Sequence, residues 1–237
     1  VLITASDEGL EFAGFDYEVS SRVRIAAEVA APGRVAVAGK LLADIVSNMP
    51  NQPVAVSTSD SKLLLDGGSA HFELPLMPLD DYPQLPQLPE VTGTISSEDL
   101  SGAVMQVAAA AGKDDTLPML TGIHIEVEGS TLHLTATDRF RLALRSLEWS
   151  PAGEEVAAKL LVPAKTLLDN ARTLDTQLEE PVQIAVGGVD NVGADGLFGL
   201  HAGNRETTTR MLDADFPNVQ PLLPKAHTSM ASVEVAP

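Results

Sequence analysis

An unusual string is written twice in this chain. Residues 79–86 read LDDYPQLP and residues 212–224 read LDADFPNVQPLLP: in both, two acids precede an aromatic residue, a proline follows it, and another proline closes an apolar tail. Two further pairs keep the same order. LEFAGFD, ending at Asp16, corresponds to LHLTATD, ending at Asp138, 122 residues on, and KLLADI from Lys40 corresponds to KTLLDN from Lys165, 125 residues on. The prolines after the aromatics, Pro83 and Pro217, lie 134 residues apart. Ordered matches with slowly growing offsets predict two copies of one structural unit, the second with longer loops. The Gly/Asp/Asn-rich stretch GGVDNVGADG at 187–196 is the obvious insertion.

The second copy can be read from its start. TISSEDL predicts a helix with Ser96 as N-cap and Asp99 as its partner three positions on. Leu100, Val104, Val107 and Ala111 fall on one face of that helix, and Gly112 is placed to end it. GIHIEVEG, TLHLTAT and RLALRSL then alternate as strands, with Ile123, Ile125 and Val127 on one face. VPAKTLLDNARTL predicts a second helix with Pro163 in its first turn, and VQIAVGG, LFGLHAG and RETTTRML resume as strands. Each copy is therefore expected to be an α+β unit of about 130 residues: helix, antiparallel strands, second helix, more strands. The first copy lacks its front, since nine residues precede Leu10 whereas 38 lie between Gly93 and its counterpart Leu132. Its opening strand and first helix are expected upstream of Val1, and TSMASVEVAP at 228–237 reads as the opening strand of a third copy. The expected domains are 1–90, incomplete at its N-terminal side, 91–225, complete, and 226–237, the start of a third.

Composition excludes several classes. No apolar run approaches the roughly 18 residues needed to cross a bilayer, and no basic segment precedes a cleavage-type site. With no cysteine there are neither disulfides nor thiolate metal sites, which suits a reducing cytoplasm. Fifteen basic residues oppose 33 acids, a net charge of −18 that argues against a partner held by phosphate contacts over the whole surface. The plain reading is a solvated acidic exterior, so a nucleic-acid role needs a geometry that does not rest on overall attraction.

Catalytic and metal patterns are lacking. His71, His124, His133, His201 and His227 show no i, i+4 pairing, and there is no G-x-S-x-G elbow. AGKLL around Lys40 lacks both the upstream glycine and the following Ser/Thr of a phosphate loop, and DNVGADG has no closing glutamate for calcium. Asp81 and Asp215 precede aromatic-proline turns and are read as turn organisers. No catalytic residue, metal ligand or cofactor is expected.

Four segments, DDTLPMLTGI (114–123), LTATDRFRLA (134–143), VPAKTLL (162–168) and DFPNVQPLLP (215–224), resemble in order and spacing the bacterial sliding clamp, the beta subunit of DNA polymerase III. The resemblance implies a non-catalytic processivity factor. Each domain would be two helices packed on antiparallel sheets, three domains would make a subunit, and two subunits would close head to tail into a ring around duplex DNA. Retention would then be topological, which reconciles an acidic surface with a DNA partner. The helices would line the hole and carry its cations, here Lys40, Lys165 and Arg172, with Lys113 in the loop after the first helix of the second copy. Ordinary solvated helix cations are the alternative. The resemblance also implies an apolar groove on the outer face that takes short peptides of the polymerase catalytic subunit, the clamp loader and repair enzymes. Its second-domain wall maps to Leu120, Thr137, Arg141, Leu142, Pro217 and Leu222, with core packing as the alternative for Leu120 and Leu142. Pro221 stands where relatives often carry a basic residue, and Arg139 with Phe140 replace smaller or more polar residues at the groove's edge. A cytoplasmic location and no membrane partner follow from the same resemblance. The competing class is a secreted or surface β-rich repeat protein with an adhesive or ligand-binding role.

Overall fold

The computed structural model describes residues 1–80, 82–153, 157–174, 180–187 and 196–223. Asp81, most of the 187–196 insertion, His227 and the strand expected at 226–237 lie outside the described residues.

Alternating residues in the first repeat give β1 (Leu2–Ser6), β2 (Gly9–Phe15), β3 (Val19–Ile25) and β4 (Gly33–Val37), followed by α1 (Gly39–Asn48), β5 (Ala55–Ser59), β6 (Lys62–Gly67) and β7 (Ala70–Met77). β1 and β2 form a hairpin from Leu2↔Ala13 to Ser6↔Gly9. Gly9, at φ 111°, passes so close to the Ile25 carbonyl that a Cβ would collide with it. β7 is shared, pairing with β6 along Ala70–Pro75 and with β4 at Leu76 and Met77.

The second repeat adds β8 (Val91–Ile95), α2 (Ser97–Ala108), the one-turn α3 (Pro118–Thr121), β9 (Gly122–Glu128), β10 (Thr131–Thr137), β11 (Leu142–Glu148) and the two-residue β12 (Ser150–Pro151). It continues through β13 (Ala157–Pro163), α4 (Ala164–Ala171), β14 (Val182–Val186), β15 (Leu197–Ala202) and β16 (Arg205–Arg210). Ser96 caps α2 as the sequence predicts, its Oγ accepting the Asp99 N–H at 3.2 Å. The helix ends at Ala108, four residues before Gly112. The Ala110 and Ala111 N–H groups tighten onto carbonyls three residues back, and the Gly112 N–H leaves the helix for the Leu120 carbonyl at 2.7 Å. Pro163, expected inside the first turn of the second helix, is instead the last residue of β13 and the cap position of α4.

Among the described residues the strands form two sheets. A 12-stranded sheet runs β12-β8-β14-β15-β16-β3-β2-β1-β4-β7-β6-β5, and a four-stranded one runs β11-β10-β9-β13. The two repeats meet within the long sheet, where β16 pairs antiparallel with β3 from Arg205↔Val23 to Thr209↔Val19. Asn204 completes the join by donating from Nδ2 to the Arg24 carbonyl at 2.8 Å and accepting the Arg24 N–H on its own carbonyl at 3.0 Å.

The core of the second repeat gathers Val104 and Val107 of α2, Ile123 of β9, Leu134 of β10, Leu167 of α4 and Phe198 of β15. The two helices lie against each other, with the buried Ser101 hydroxyl donating to the Ala171 carbonyl at 2.9 Å. Val46 of α1 corresponds to Ala171 under the repeat offset, yet it is exposed, because no helix within residues 1–80 takes the place of α2.

Both copies of the duplicated string do the same thing. The faces of β1 and β2 alternate: Ile3 joins the core with Leu42 of α1, whereas Leu2 and Ala13 face the other way and pack against Tyr82 and Leu85. The Tyr82 hydroxyl donates to the Ala13 carbonyl at 3.0 Å. In the second repeat Phe216 stacks on His124, which pairs with Thr135, the counterpart of Ala13. Each aromatic thus fastens its proline-rich segment to the sheet face opposite the helices.

Leu134 is fully buried beneath α2 in a strand paired on both sides. Leu134→Ala is expected to lower unfolding stability by about 2–5 kcal/mol, as cavity formation at such sites does, measured by urea denaturation of the chain.

Candidate functional site

The hairpin from β10 to β11 turns through Asp138–Arg141, with Thr137 and Leu142 as its last pair. Asp138 organises the turn: Oδ1 accepts the N–H groups of Phe140 and Arg141, both at 3.0 Å, and Oδ2 accepts Arg141 Nε at 2.9 Å. Burial opposes ionisation of Asp138, but these donors prevail and hold its carboxyl below the usual range. The Thr137 hydroxyl donates to the Arg141 carbonyl at 2.7 Å and accepts the Arg139 N–H at 3.2 Å. Its hydrogen bonds therefore fix the loop, and Arg141 is the side chain they leave presented. Arg139 holds φ 79°, and Phe140 at the tip is 91% exposed. An aromatic ring that bare is held out by the turn with no packing of its own.

Beside this hairpin, the bond from Gly112 to the Leu120 carbonyl folds the loop after α2 back onto α3. A cleft of about 180 Å³ opens there, lined by Leu117 and Leu120 on one side and Asp138, Arg139 and Phe140 on the other, with Lys113 and Asp114 at its edge. Leu120 is only 7% exposed, so core packing accounts for most of its side chain, and the remainder reaches the cleft.

The other sequence-derived groove residues ride on the segment after β16. The Leu212 N–H donates to the Leu161 carbonyl at 2.8 Å, and the Leu161 and Leu212 side chains together fill the space a Cβ on Gly122 would take. Phe216 then stacks on His124 at 4.9 Å with the rings 6° from parallel, and Val219 is buried. Pro217 is exposed, and a 3-10 turn at Gln220–Leu222 leaves Leu222 73% exposed. Pro221 fits that turn's start, where an N–H is not needed. Register puts Thr135, Thr137, Leu142 and Leu144 on the same sheet face as His124. One face thus carries a half-covered apolar strip with Leu144 and Leu222 open to solvent. Sequence reading left His124 among scattered histidines, although strand alternation alone puts it on this face.

The helix cations divide differently. Lys165, Asp169 and Arg172 are exposed along one face of α4 and its cap, with Arg172 3.8 Å from Asp169. Lys40 and Asp44 repeat the Lys-x-x-x-Asp spacing on exposed positions of α1. The acid four residues after each lysine is legible in the repeat. Lys113 stands apart from these three, at the cleft.

Among the described residues no three His, Asp or Glu side chains are grouped to hold a metal ion, and no helix is long and apolar enough to cross a membrane.

This architecture of repeated helix-on-sheet units has close counterparts. Residues 1–86 match the family model of the DNA polymerase III beta subunit, N-terminal domain, and residues 94–218 match that of its central domain. The chain belongs to the DNA polymerase III beta subunit family, the beta sliding clamps. It is 44% identical over 237 residues to the beta sliding clamp of Streptomyces coelicolor, covering all of this chain and 62% of the relative. It is 40% identical over 236 residues to that of Micrococcus luteus, covering 74% of that protein. A crystal structure of a Pseudomonas aeruginosa sliding clamp bound to griselimycin superposes with a TM-score of 0.84 at 28% identity, over 95% of this chain and 60% of that one. The chain thus spans about three fifths of the length of most of these relatives.

Burial of His124 beside Phe216 makes the segment after β16 sensitive to pH. Burial, aided by Lys159 and opposed by Glu126, holds the imidazole below its ordinary value of about 6.5. The unfolded chain therefore protonates first as pH falls, so the stability tied to neutral His124 is full above about pH 6.5 and is lost as pH drops through the folded value. Thermal melts between pH 7.5 and 5 should show this loss, and His124→Phe should flatten it.

Proposed function

We propose that the full-length protein is a ring-forming DNA sliding clamp: a non-catalytic, cytoplasmic processivity factor that encircles duplex DNA and tethers the replicative polymerase. The observation that carries this reading is the two-sidedness shared by both repeats. In each, a helix with an exposed lysine at its second residue covers one sheet face, while an aromatic-proline segment is fastened to the opposite face. Units of this kind, set side by side in a continuous sheet, give a ring an inner wall of helices and an outer wall of strands. Residues 1–90 and 91–225 are taken as the first and second clamp domains and 226–237 as the start of a third, with the closed ring a head-to-tail homodimer.

Lys40, Lys165 and Arg172 then face the hole. The aspartates four residues after each lysine, with Asp169 paired to Arg172, keep the wall only weakly cationic, which suits sliding better than gripping. The apolar strip on the outer face, with Leu120, Thr137, Arg141, Leu142, Pro217 and Leu222, is the second-domain wall of a groove for short peptides of the polymerase catalytic subunit, clamp loader and repair enzymes. Exposed leucine and proline accept apolar anchors, and Arg141, braced by Asp138, offers donors to an extended backbone. Nothing in the fold favours the adhesive surface protein.

Primer extension on a long single-stranded template, with the cognate polymerase and clamp loader, tests the proposal. The full-length protein should lengthen products many-fold. Leu142→Asp should abolish that stimulation while light scattering still reports the assembled ring, because a charge in the apolar wall weakens peptide binding by more than about 2 kcal/mol. Product lengths indifferent to the protein would contradict the proposal.

A further inference from the structure

We propose that residues 82–89 form a strap that fixes the angle between the two repeats, with Leu88 seated on Gly199 as its catch. The strap belongs to the chain whether or not it closes into a ring; where it does, this angle sets the curvature of the arc. After β7 the chain crosses the long sheet on the face away from the helices. Tyr82 and Leu85 pack on Leu2, Ala13 and Ala36 of β1, β2 and β4, and the Arg22 guanidinium of β3 donates to the Pro86 carbonyl at 3.4 Å. Leu88 and Pro89 then lie over Gly199 of β15, before Val91 opens β8. In strand order this path runs from β4 to β8 and spans the β3–β16 join.

The sequence suits the segment to this work. Pro83, Pro86 and Pro89 recur at every third position, which favours an extended threefold backbone on which residues three apart share an edge. The residues before those prolines, Tyr82, Leu85 and Leu88, are the ones that touch the sheet. Its counterpart in the second repeat lacks that spacing: Pro217 is followed by Pro221, the chain folds into the 3-10 turn, and Leu222 at the place of Leu88 is exposed. The strap is therefore a property of the junction between the first and second repeats.

Gly199 is the seat. Its neighbours Phe198 and Leu200 point into the second-repeat core, so Gly199 faces the strap, and a Cβ there would collide with Leu88 Cδ1 and press on Pro89. Register continues that row across the join through Thr208 to Ser20, both small and buried. Arg22, midway, is a loose tie: its bond to Pro86 is long, Glu206 is 3.6 Å away, and its buried Nε has no partner. The two ends hold the strap. A five-pair ladder does not set an angle by itself, because adjacent strands twist relative to one another by anything from about 10° to 35° in different sheets, so the β3–β16 pairing is a line about which the repeats can pivot. Bending them toward their helices lengthens the path over the opposite face. A proline-stiffened strap anchored at both ends resists that stretch, and freeing it at Leu88 releases the pivot.

Because the chain has no cysteine, Ala43→Cys on α1 and Asp169→Cys on α4, both at exposed positions, can carry spin labels whose separation is read by double electron–electron resonance. The otherwise unaltered chain should give one narrow distance distribution. Leu88→Ala removes the catch and Gly199→Val fills its seat, so each should broaden the distribution about twofold, toward shorter distances, as the spread of inter-strand angles allows. Emission from Trp149, buried in the second-repeat core, should stay unchanged and show that core intact. Combining the two substitutions should add nothing to the larger single effect, because both act on one contact. Distributions as narrow as the parent's in both single variants, with Trp149 emission unchanged, would overturn the strap.

Discussion

The antiparallel ladder between β3 and β16 is the contact on which the arrangement of the two repeats depends. Five register pairs turn two exposed sheet edges into an internal seam, removing unpaired backbone groups that would otherwise invite aggregation. The residues at the seam suit close approach: Ser20, Thr207, Thr208 and Thr209 are small and buried. Arg22 lies 3.6 Å from Glu206, and its guanidinium donates to the Pro86 carbonyl at 3.4 Å, tying the seam to the segment that leads into the second repeat. With the seam in place, the β3-β2-β1-β4 part of the long sheet, which carries Tyr82, is joined to the second repeat, while its counterpart β11-β10-β9-β13, which carries Phe216, stands as the separate four-stranded sheet.

Charge follows from that arrangement. A protein with a net charge of −18 cannot hold DNA by the sum of its surface contacts, but an encircling one has no need to. The lysines at the starts of α1 and α4 are each followed by an aspartate at i+4, and Arg172 leans on Asp169, so the helices present a nearly balanced face. On the other face the charges are used for structure: Asp138 braces its own turn and Arg141, Glu126 pairs with Lys159 at 2.6 Å, and burial keeps His124 neutral against Phe216.

The repeat, the α+β unit and the strand order within each hairpin were legible in the sequence because each is a local pattern: alternation at Ile123, Ile125 and Val127, the Ser96 cap, the duplicated string. The β3–β16 seam was not legible, since pairing between strands some 180 residues apart leaves no mark in local periodicity. The α2 terminus was misjudged because Gly112 looked like a stop, whereas its N–H serves the α3 loop. Of the site, the Thr137–Leu142 turn and the Leu212–Leu222 segment were found as motifs. What the motifs could not convey was that Thr137 bonds within its own turn, that Leu120 is mostly core, or that Lys113 lies by Arg139 and Phe140. Each of these is settled by how a loop folds back in three dimensions.

Encirclement is the central claim, and the most direct measurement compares retention of the full-length protein on nicked circular and on linear DNA through a high-salt wash after loading. A closed ring cannot leave a circle however weak its contacts, so protein should stay on the circle, be absent from linear DNA, and be released once the circle is cut. Equal, salt-sensitive loss from both forms would mean that the protein binds DNA from one side, and would contradict the account.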